Sequence, residues 1–157
     1  MQLHNNKILI TGGATGIGLG LTKRFIEENN TVIICGRRQE VLQQVKAQLP
    51  SVITKVCDLS NESERVDLYK WISAEHSDLN VLINNAGIQN WMDVADNDFY
   101  EKANNEITIN ALAPVHLTNL FLNLKSLKTI ANVTSGWRNS CKWLVLTRQA
   151  FVHGYVC

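Results

Sequence analysis

The segment Thr11-Gly12-Gly13-Ala14-Thr15-Gly16-Ile17-Gly18 constrains this chain more than any other. It follows an apolar run, Lys7 to Thr11, and opens an amphipathic stretch, Gly16 to Asn29, with Ile17, Leu21 and Phe25 on one face. A strand that turns through glycines into a helix gathers free N–H groups and the positive end of a helix dipole at one point, which suits an anion. Each glycine has its own expected duty. Gly12 permits the tight turn, Gly16 lets the backbone approach a diphosphate, and Gly18 lets the helix pack close to the sheet. A plain glycine-rich turn is the alternative reading of the same residues.

Short apolar runs and longer amphipathic stretches then alternate. Strands are expected at Thr31 to Cys35, Val52 to Val56, Val81 to Asn84 and Thr129 to Thr134. Helices are expected at Arg38 to Leu49, closed by Pro50, at Glu62 to His76 and along Asn104 to Lys125. In the second of these, Val66, Leu68, Tyr69 and Ile72 are the apolar positions. Such alternation predicts an α/β fold, a doubly wound Rossmann-type parallel sheet covered on both faces. The expected strand order is 3-2-1-4-5, with ligand outside the C-terminal strand ends near the switch between strands 1 and 4.

The chain has 157 residues, enough for one domain of ordinary size. At 45% hydrophobic and 18% charged residues it is globular in composition, which excludes a disordered class. A net charge of +1 with scattered basic residues gives no nucleic-acid footprint. No apolar run reaches the roughly 20 residues that span a bilayer, so no membrane partner is expected. Met1 to Lys7 is polar and does not read as a signal peptide. Of the four cysteines, Cys35, Cys57, Cys141 and Cys157, none form a Cys-x-x-Cys pair, and no metal site is expected. Cys35 and Cys57 end apolar runs and are expected as buried, reduced thiols. These features together predict a cytoplasmic protein.

The glycine spacing, Gly-x-x-x-Gly-x-Gly within Thr-Gly-x-x-x-Gly-Ile-Gly, resembles the cofactor turn of the short-chain dehydrogenase/reductase family. Four further features match that family in order: Asp58 after the third strand, Asn84-Asn85-Ala86-Gly87 at the end of the fourth, Asn110 in the long helix, and Asn132-Val133-Thr134-Ser135-Gly136 on the fifth. Cys35-Gly36-Arg37 and Ala113-Pro114-Val115-His116-Leu117 are similar to the wording of a bacterial branch, that of the DltE-like oxidoreductases. The resemblance implies an NAD(P)-dependent oxidoreductase that transfers hydride between a nicotinamide and a small carbonyl or alcohol substrate. It implies cofactor contacts at Gly12, Thr15, Gly16, Ile17, Gly18, Asp58, Asn85, Ala86 and Gly87, with Ser135 and Asn110 catalytic. It also implies a homo-oligomer built through the long helix and its successor. Without the resemblance, Ser135 reads as a strand-end serine capping a turn. Other nucleotide-binding α/β proteins, such as methyltransferases, leave Asn84 to Gly87 and Ser135 together unexplained.

Two expectations come from the residues themselves. No Asp or Glu stands at Ile34 to Gly36, where a carboxylate would bind the ribose hydroxyl of NAD. Arg37 and Arg38 follow instead, and a guanidinium suits a 2′-phosphate, so NADP(H) is preferred over NAD(H). Surface arginines opening a helix are the alternative. Pro114 lies four residues after Asn110 and has no N–H, so the Asn110 carbonyl is expected to lose its helical donor at a kink where a water could bind. An ordinary proline kink is the alternative there.

The pattern then breaks. The family's Tyr-x-x-x-Lys is absent: Tyr155 is the only tyrosine after Ser135, and Lys142 has no tyrosine four residues before it. Trp137 to Trp143 show neither helical nor strand periodicity, and Ala150 to Tyr155 resembles the family's next helix. Residues 1–136 are therefore expected as the nucleotide-binding domain and 137–157 as an aberrant segment, truncated or frameshifted. Shifting the codons of Gly136 to Gln149 by one nucleotide can restore family-like wording, ending in Tyr-Ser-Ala. The expected enzyme is inactive as the chain stands. A nucleotide-binding pseudoenzyme and the non-functional product of a frameshifted gene are the alternatives. Loss of the later strands would leave the apolar edge Ile130 to Val133 exposed.

Overall fold

The computed structural model describes residues 4–136, 140–147 and 150–156, with side chains through residue 134. Among these, β1 (Lys7–Thr11), β2 (Thr31–Gly36), β3 (Ile53–Val56), β4 (Val81–Asn84) and β5 (Thr129–Gly136) form a parallel sheet in the order 3-2-1-4-5. α1 (Gly16–Glu27), α2 (Gln39–Gln48) and α3 (Glu62–Glu75) fall between the first four strands. Between β4 and β5 run α4 (Phe99–Ile107), a π-helical turn (Thr108–Leu112) and α5 (Ala113–Phe121).

Strand residues alternate between two cores because successive side chains point to opposite faces. Leu9, Ile33 and Leu82 pack with Leu68 and Ile72 of α3 and Ala113, Leu117 and Phe121 of α5. Ile8, Ile10, Val32, Ile34, Val81 and Ile83 pack with Leu42 and Val45 of α2 and Leu21 and Phe25 of α1. Burial on both faces explains why β1, β2 and β4 read as nearly continuous apolar runs. Ile17 departs from the expected apolar face of α1: it is 51% exposed and belongs to neither core.

Local chemistry sets the helix ends. Asn29 takes φ of 57° after α1. Its N–H donates to the Ile26 carbonyl at 3.0 Å and that of Asn30 to Phe25 at 3.1 Å, the paired bonds of a Schellman stop. At α3, Asn61 Oδ1 accepts from the Ser63 N–H at 3.0 Å, satisfying one of the free donors of the first turn.

Three asparagines tie the N-terminal rim of the sheet. Asn30 Oδ1 accepts from the Asn6 N–H at 2.9 Å, Asn80 Oδ1 from the Lys7 N–H at 3.0 Å, and Asn6 Oδ1 from Asn80 Nδ2 at 3.2 Å. They join the lower ends of β1, β2 and β4.

The long helical stretch differs from expectation at both ends, beginning at Phe99 and closing at Phe121. Its middle winds as a π turn in which the Ala113 N–H bonds the Thr108 carbonyl, five residues back. Pro114, at the start of α5, has no N–H to offer the Asn110 carbonyl four residues back, and the π turn lies immediately before it.

The end of the sheet also differs. β6 (Ser140–Thr147) pairs antiparallel with β5, and β7 (Ala150–Val156) pairs antiparallel with β6, giving seven strands. The β5 edge is thus paired rather than bare, and Ala150 to Tyr155 forms strand rather than helix. An open edge of unsatisfied N–H and C=O groups templates such pairing, and Leu144-Val145-Leu146 and Phe151-Val152 have the residue types that strands favour. Trp137, Arg138 and Asn139 lie outside the described residues, as does the side chain of Ser135.

Cys35 and Cys57 are buried free thiols. A hydrogen bond with Cys57, followed by burial, pushes the Cys35 thiol well above its ordinary range. Because the folded value exceeds the unfolded one, its contribution to stability is intact below the ordinary thiol range and falls as pH rises through it. Iodoacetamide at pH 8 is expected to leave both residues unlabelled in the folded chain and to label them in urea. Labelling of either under native conditions, read by peptide mass spectrometry, would contradict this burial.

Candidate functional site

A cleft of about 780 Å³ opens at the C-terminal ends of β1, β2, β3, β4 and β5. This is the size range of small-molecule sites. Its position follows from the topology, since β1 lies between β2 and β4 and the order in which strands are added to the sheet reverses there.

The glycine turn forms its floor. Gly12 (φ 64°) and Gly16 (φ 52°) adopt the left-handed conformation that side chains disfavour. A Cβ on Gly12 would lie 2.9 Å from Ala86 Cα, so the turn sits directly against the end of β4. A Cβ on Gly18 would lie 2.2 Å from the Gly12 carbonyl oxygen. At Gly16, by contrast, nothing stands within 4 Å of where a Cβ would go. The first turn of α1 is also uncompensated: Thr15, the N-cap, makes no side-chain capping bond, and no acidic residue sits in that turn. That turn, with its half-exposed Ile17, lines the cleft.

Polar side chains lock the turn from behind. The buried Thr11 hydroxyl accepts from the Asn85 and Ala86 N–H groups at 3.0 Å each and donates to the Ile83 carbonyl at 3.4 Å. Asn85 Nδ2 donates back to the Thr11 carbonyl at 3.0 Å and the Gly12 carbonyl at 3.3 Å. The buried Thr22 hydroxyl lies 2.9 Å from both the Gly13 and the Gly18 carbonyl oxygens and shares its single proton between them. Nothing in spacing singles out Thr22, because its partners are backbone carbonyls of the turn.

One end of the cleft is lined by Arg37, Arg38 and Asp58, the other by Asn85, Ala86, Gly87 and Asn110. Thr15, Gly16, Ile17, Gly12 and Gly18 lie between them. The structure therefore brings together every cofactor contact expected from the sequence, together with Asn110. It adds Val41, Leu59, Ile88, Gln89 and Ile109, which the sequence reading missed, and Val133 and Thr134 of the fifth-strand motif. The Asp58 N–H donates to Glu64 Oε2 at 2.7 Å, and Asp58 Oδ1 accepts from the Ser60 N–H and hydroxyl at 2.9 and 2.8 Å. Asn110 Oδ1 accepts from the Ile88 N–H at 2.8 Å, and Asn110 Nδ2 donates to the Ile88 carbonyl at 2.7 Å.

Arg65 is an unexpected member of the neighbourhood, 6% exposed on α3. Its guanidinium donates to the Leu59 carbonyl and, through Nε, to His116 Nδ1 of α5 at 3.0 Å. It anchors the loop after Asp58 from below.

Among the described residues no group of three or more His, Cys, Asp or Glu is arranged to hold a metal, and no helix is long and apolar enough to cross a membrane.

The sheet order, the two helical layers and the glycine-floored cleft define a doubly wound, Rossmann-like α/β protein. The chain belongs to the short-chain dehydrogenase family, a family of oxidoreductases whose model matches residues 6–139. It is 46% identical over 142 residues, 87% of this chain, to the uncharacterized oxidoreductase DltE of Bacillus subtilis (strain 168), of which it covers 56%. It is 33% identical over 116 residues, 73% of this chain, to the NADP-dependent 3-hydroxy acid dehydrogenase YdfG of Escherichia coli O6:H1, of which it covers 47%. The chain thus spans about half the length of these curated relatives. A short-chain dehydrogenase from Streptomyces avermitilis superposes with a TM-score of 0.75 at 21% identity, over 83% of this chain and 49% of that one. The Pseudomonas aeruginosa RhlG/NADP complex superposes at 0.70 with 23% identity, over 78% and 49%. These two likenesses bear on the fold.

Proposed function

We propose that the cleft binds a nicotinamide dinucleotide, NADP(H) in preference to NAD(H), as part of an oxidoreductase acting on a small carbonyl or alcohol. The observation that carries this is the unfilled space at Gly16 beside the uncapped first turn of α1. N–H groups and a helix dipole there suit a diphosphate. Arg37 and Arg38 at one end suit a 2′-phosphate, and Asp58 there offers an acceptor to the adenine. Residues 85–87 and Asn110 at the other end take the nicotinamide half. The cofactor, when bound, supplies the hydride. The NADP-dependent relative YdfG supports the preference, as does the lack of a carboxylate at the end of β2.

The chain's own residues bind and orient; the proton step is where they fall short. Ser135 is the proposed group that orients a substrate carbonyl, and the Asn110 carbonyl the proposed acceptor for a relay water beside the π turn. No tyrosine in the 157 residues is followed four positions later by lysine. General acid/base catalysis contributes about 10²–10⁴-fold, so turnover by this chain is expected to be low. A nucleotide-binding pseudoenzyme is the second reading, favoured by that missing motif. Residues 1–136 are the proposed nucleotide-binding domain, in a protein proposed to be cytoplasmic.

Fluorescence titration with NADPH and NADH tests the reading. Saturable binding, tighter for NADPH, is expected; Arg37→Ala with Arg38→Ala should cost NADPH about tenfold in affinity, the scale of one charge-assisted hydrogen bond. NADH should be nearly unaffected. No affinity for either nucleotide at millimolar concentration overturns the proposal, and binding without hydride transfer to carbonyl substrates supports the pseudoenzyme.

A further inference from the structure

The loop after β4 is held by two side chains of the helical stretch, and only one of them belongs to the site described above. Asn110 grips both backbone groups of Ile88. Four residues earlier, Glu106 Oε2 accepts from the Asn90 N–H at 2.9 Å. Asn90 Nδ2 adds a tie to the Lys102 carbonyl at 3.2 Å. Residues 106 and 110 lie four apart along one helical stretch, and between them they hold residues 88 and 90 of the loop. Gln89, between them, lines the cleft. Glu106 does not line it, so whatever it does there it does through the loop backbone.

We infer that Glu106 is a positioning residue for the nicotinamide end of the cleft, where its carboxylate and Asn110 together fix the wall made by Gly87, Ile88 and Gln89. The inference rests on the nucleotide reading above. Arg37, Arg38 and Asp58 lie at the opposite end, so the adenosine half should be insensitive to Glu106.

The test compares NADPH with 2′,5′-ADP, which lacks the nicotinamide half, on the purified chain and its variants. Glu106→Ala should weaken NADPH about 3- to 10-fold, the scale of one lost hydrogen bond, and leave 2′,5′-ADP within about twofold. Glu106→Gln keeps an acceptor oxygen and should restore NADPH affinity. Hydrogen exchange at the Asn90 amide should quicken in Glu106→Ala and return in Glu106→Gln. If Glu106→Ala lowers the folded fraction, Glu106→Met removes the acceptor while keeping side-chain length. Equal loss for both ligands, or unchanged NADPH affinity with the Asn90 amide still protected, overturns the inference. If the unaltered chain binds neither ligand, the nucleotide reading fails, and Asn90 exchange alone decides whether Glu106 holds the loop.

Discussion

Thr11→Val is expected to destabilise the chain by about 2–5 kcal/mol, although valine has nearly the same shape. A hydroxyl has one proton and two acceptor lone pairs, and Thr11 uses all three, on Ile83, Asn85 and Ala86. Valine leaves two half-buried N–H groups behind β4 without their acceptor, at about 1–3 kcal/mol for each fully buried group and less where water reaches it. The damage also reaches the cleft, because those two residues form its wall and Asn85 in turn holds the Thr11 and Gly12 carbonyls. Thr11→Ser keeps the hydroxyl and should lose only about 1 kcal/mol for the buried methyl. Urea denaturation with the slope held fixed reads both values. A Thr11→Val midpoint equal to that of the unaltered chain would show that the hydroxyl network contributes nothing.

Gly18→Ala and Gly20→Ala should move stability in opposite directions, although both glycines lie in α1. Alanine in a helix interior is ordinarily better than glycine by about 1 kcal/mol. At Gly20 nothing stands within 4 Å of the added carbon, so that gain should appear. At Gly18 the carbon would meet the Gly12 carbonyl oxygen at 2.2 Å and Asn85 Nδ2 at 2.5 Å. Backbone cannot swing aside as a flexible side chain does. The expected net loss is about 1–3 kcal/mol, or roughly 3–10 °C in Tm. Nucleotide affinity should fall with it, since the turn that must shift is the proposed diphosphate cradle. Equal melting temperatures for the two variants would refute the close packing of α1 on the turn.

The same contrast shows what the sequence could and could not announce. The glycine turn and the strands were legible because each rests on a local rule: β-branched runs for strands, glycines where φ turns positive, a helix following at once; the strand order followed from the crossover rule, and Asp58, Asn85 to Gly87 and Asn110 came from the family resemblance. Thr22 and Glu106 were not legible, because their partners are backbone groups 9 and 16 residues away, and any polar residue at those positions looks like a solvated one. Arg65 carries no such signal either: it stands among Glu62, Glu64 and Asp67, yet it turns inward to a carbonyl and an imidazole. Ile17, put on the apolar face of α1 by its period and at the cofactor by the family resemblance, is half exposed and lines the cleft. The end of the sheet escaped because hydrophobic period says little about segments as short as Leu144 to Leu146; the unpaired edge of β5 decided their conformation.

The amide ties among Asn6, Asn30 and Asn80 give the sheet a fixed base. With three strands pinned at that rim, their spacing has little freedom to respond when something enters at the far rim. Adjustment falls to the connecting loops, and the scaffold beneath them acts as a stator. An entering molecule then meets a floor that is already ordered, so little of its binding energy is spent on freezing the protein.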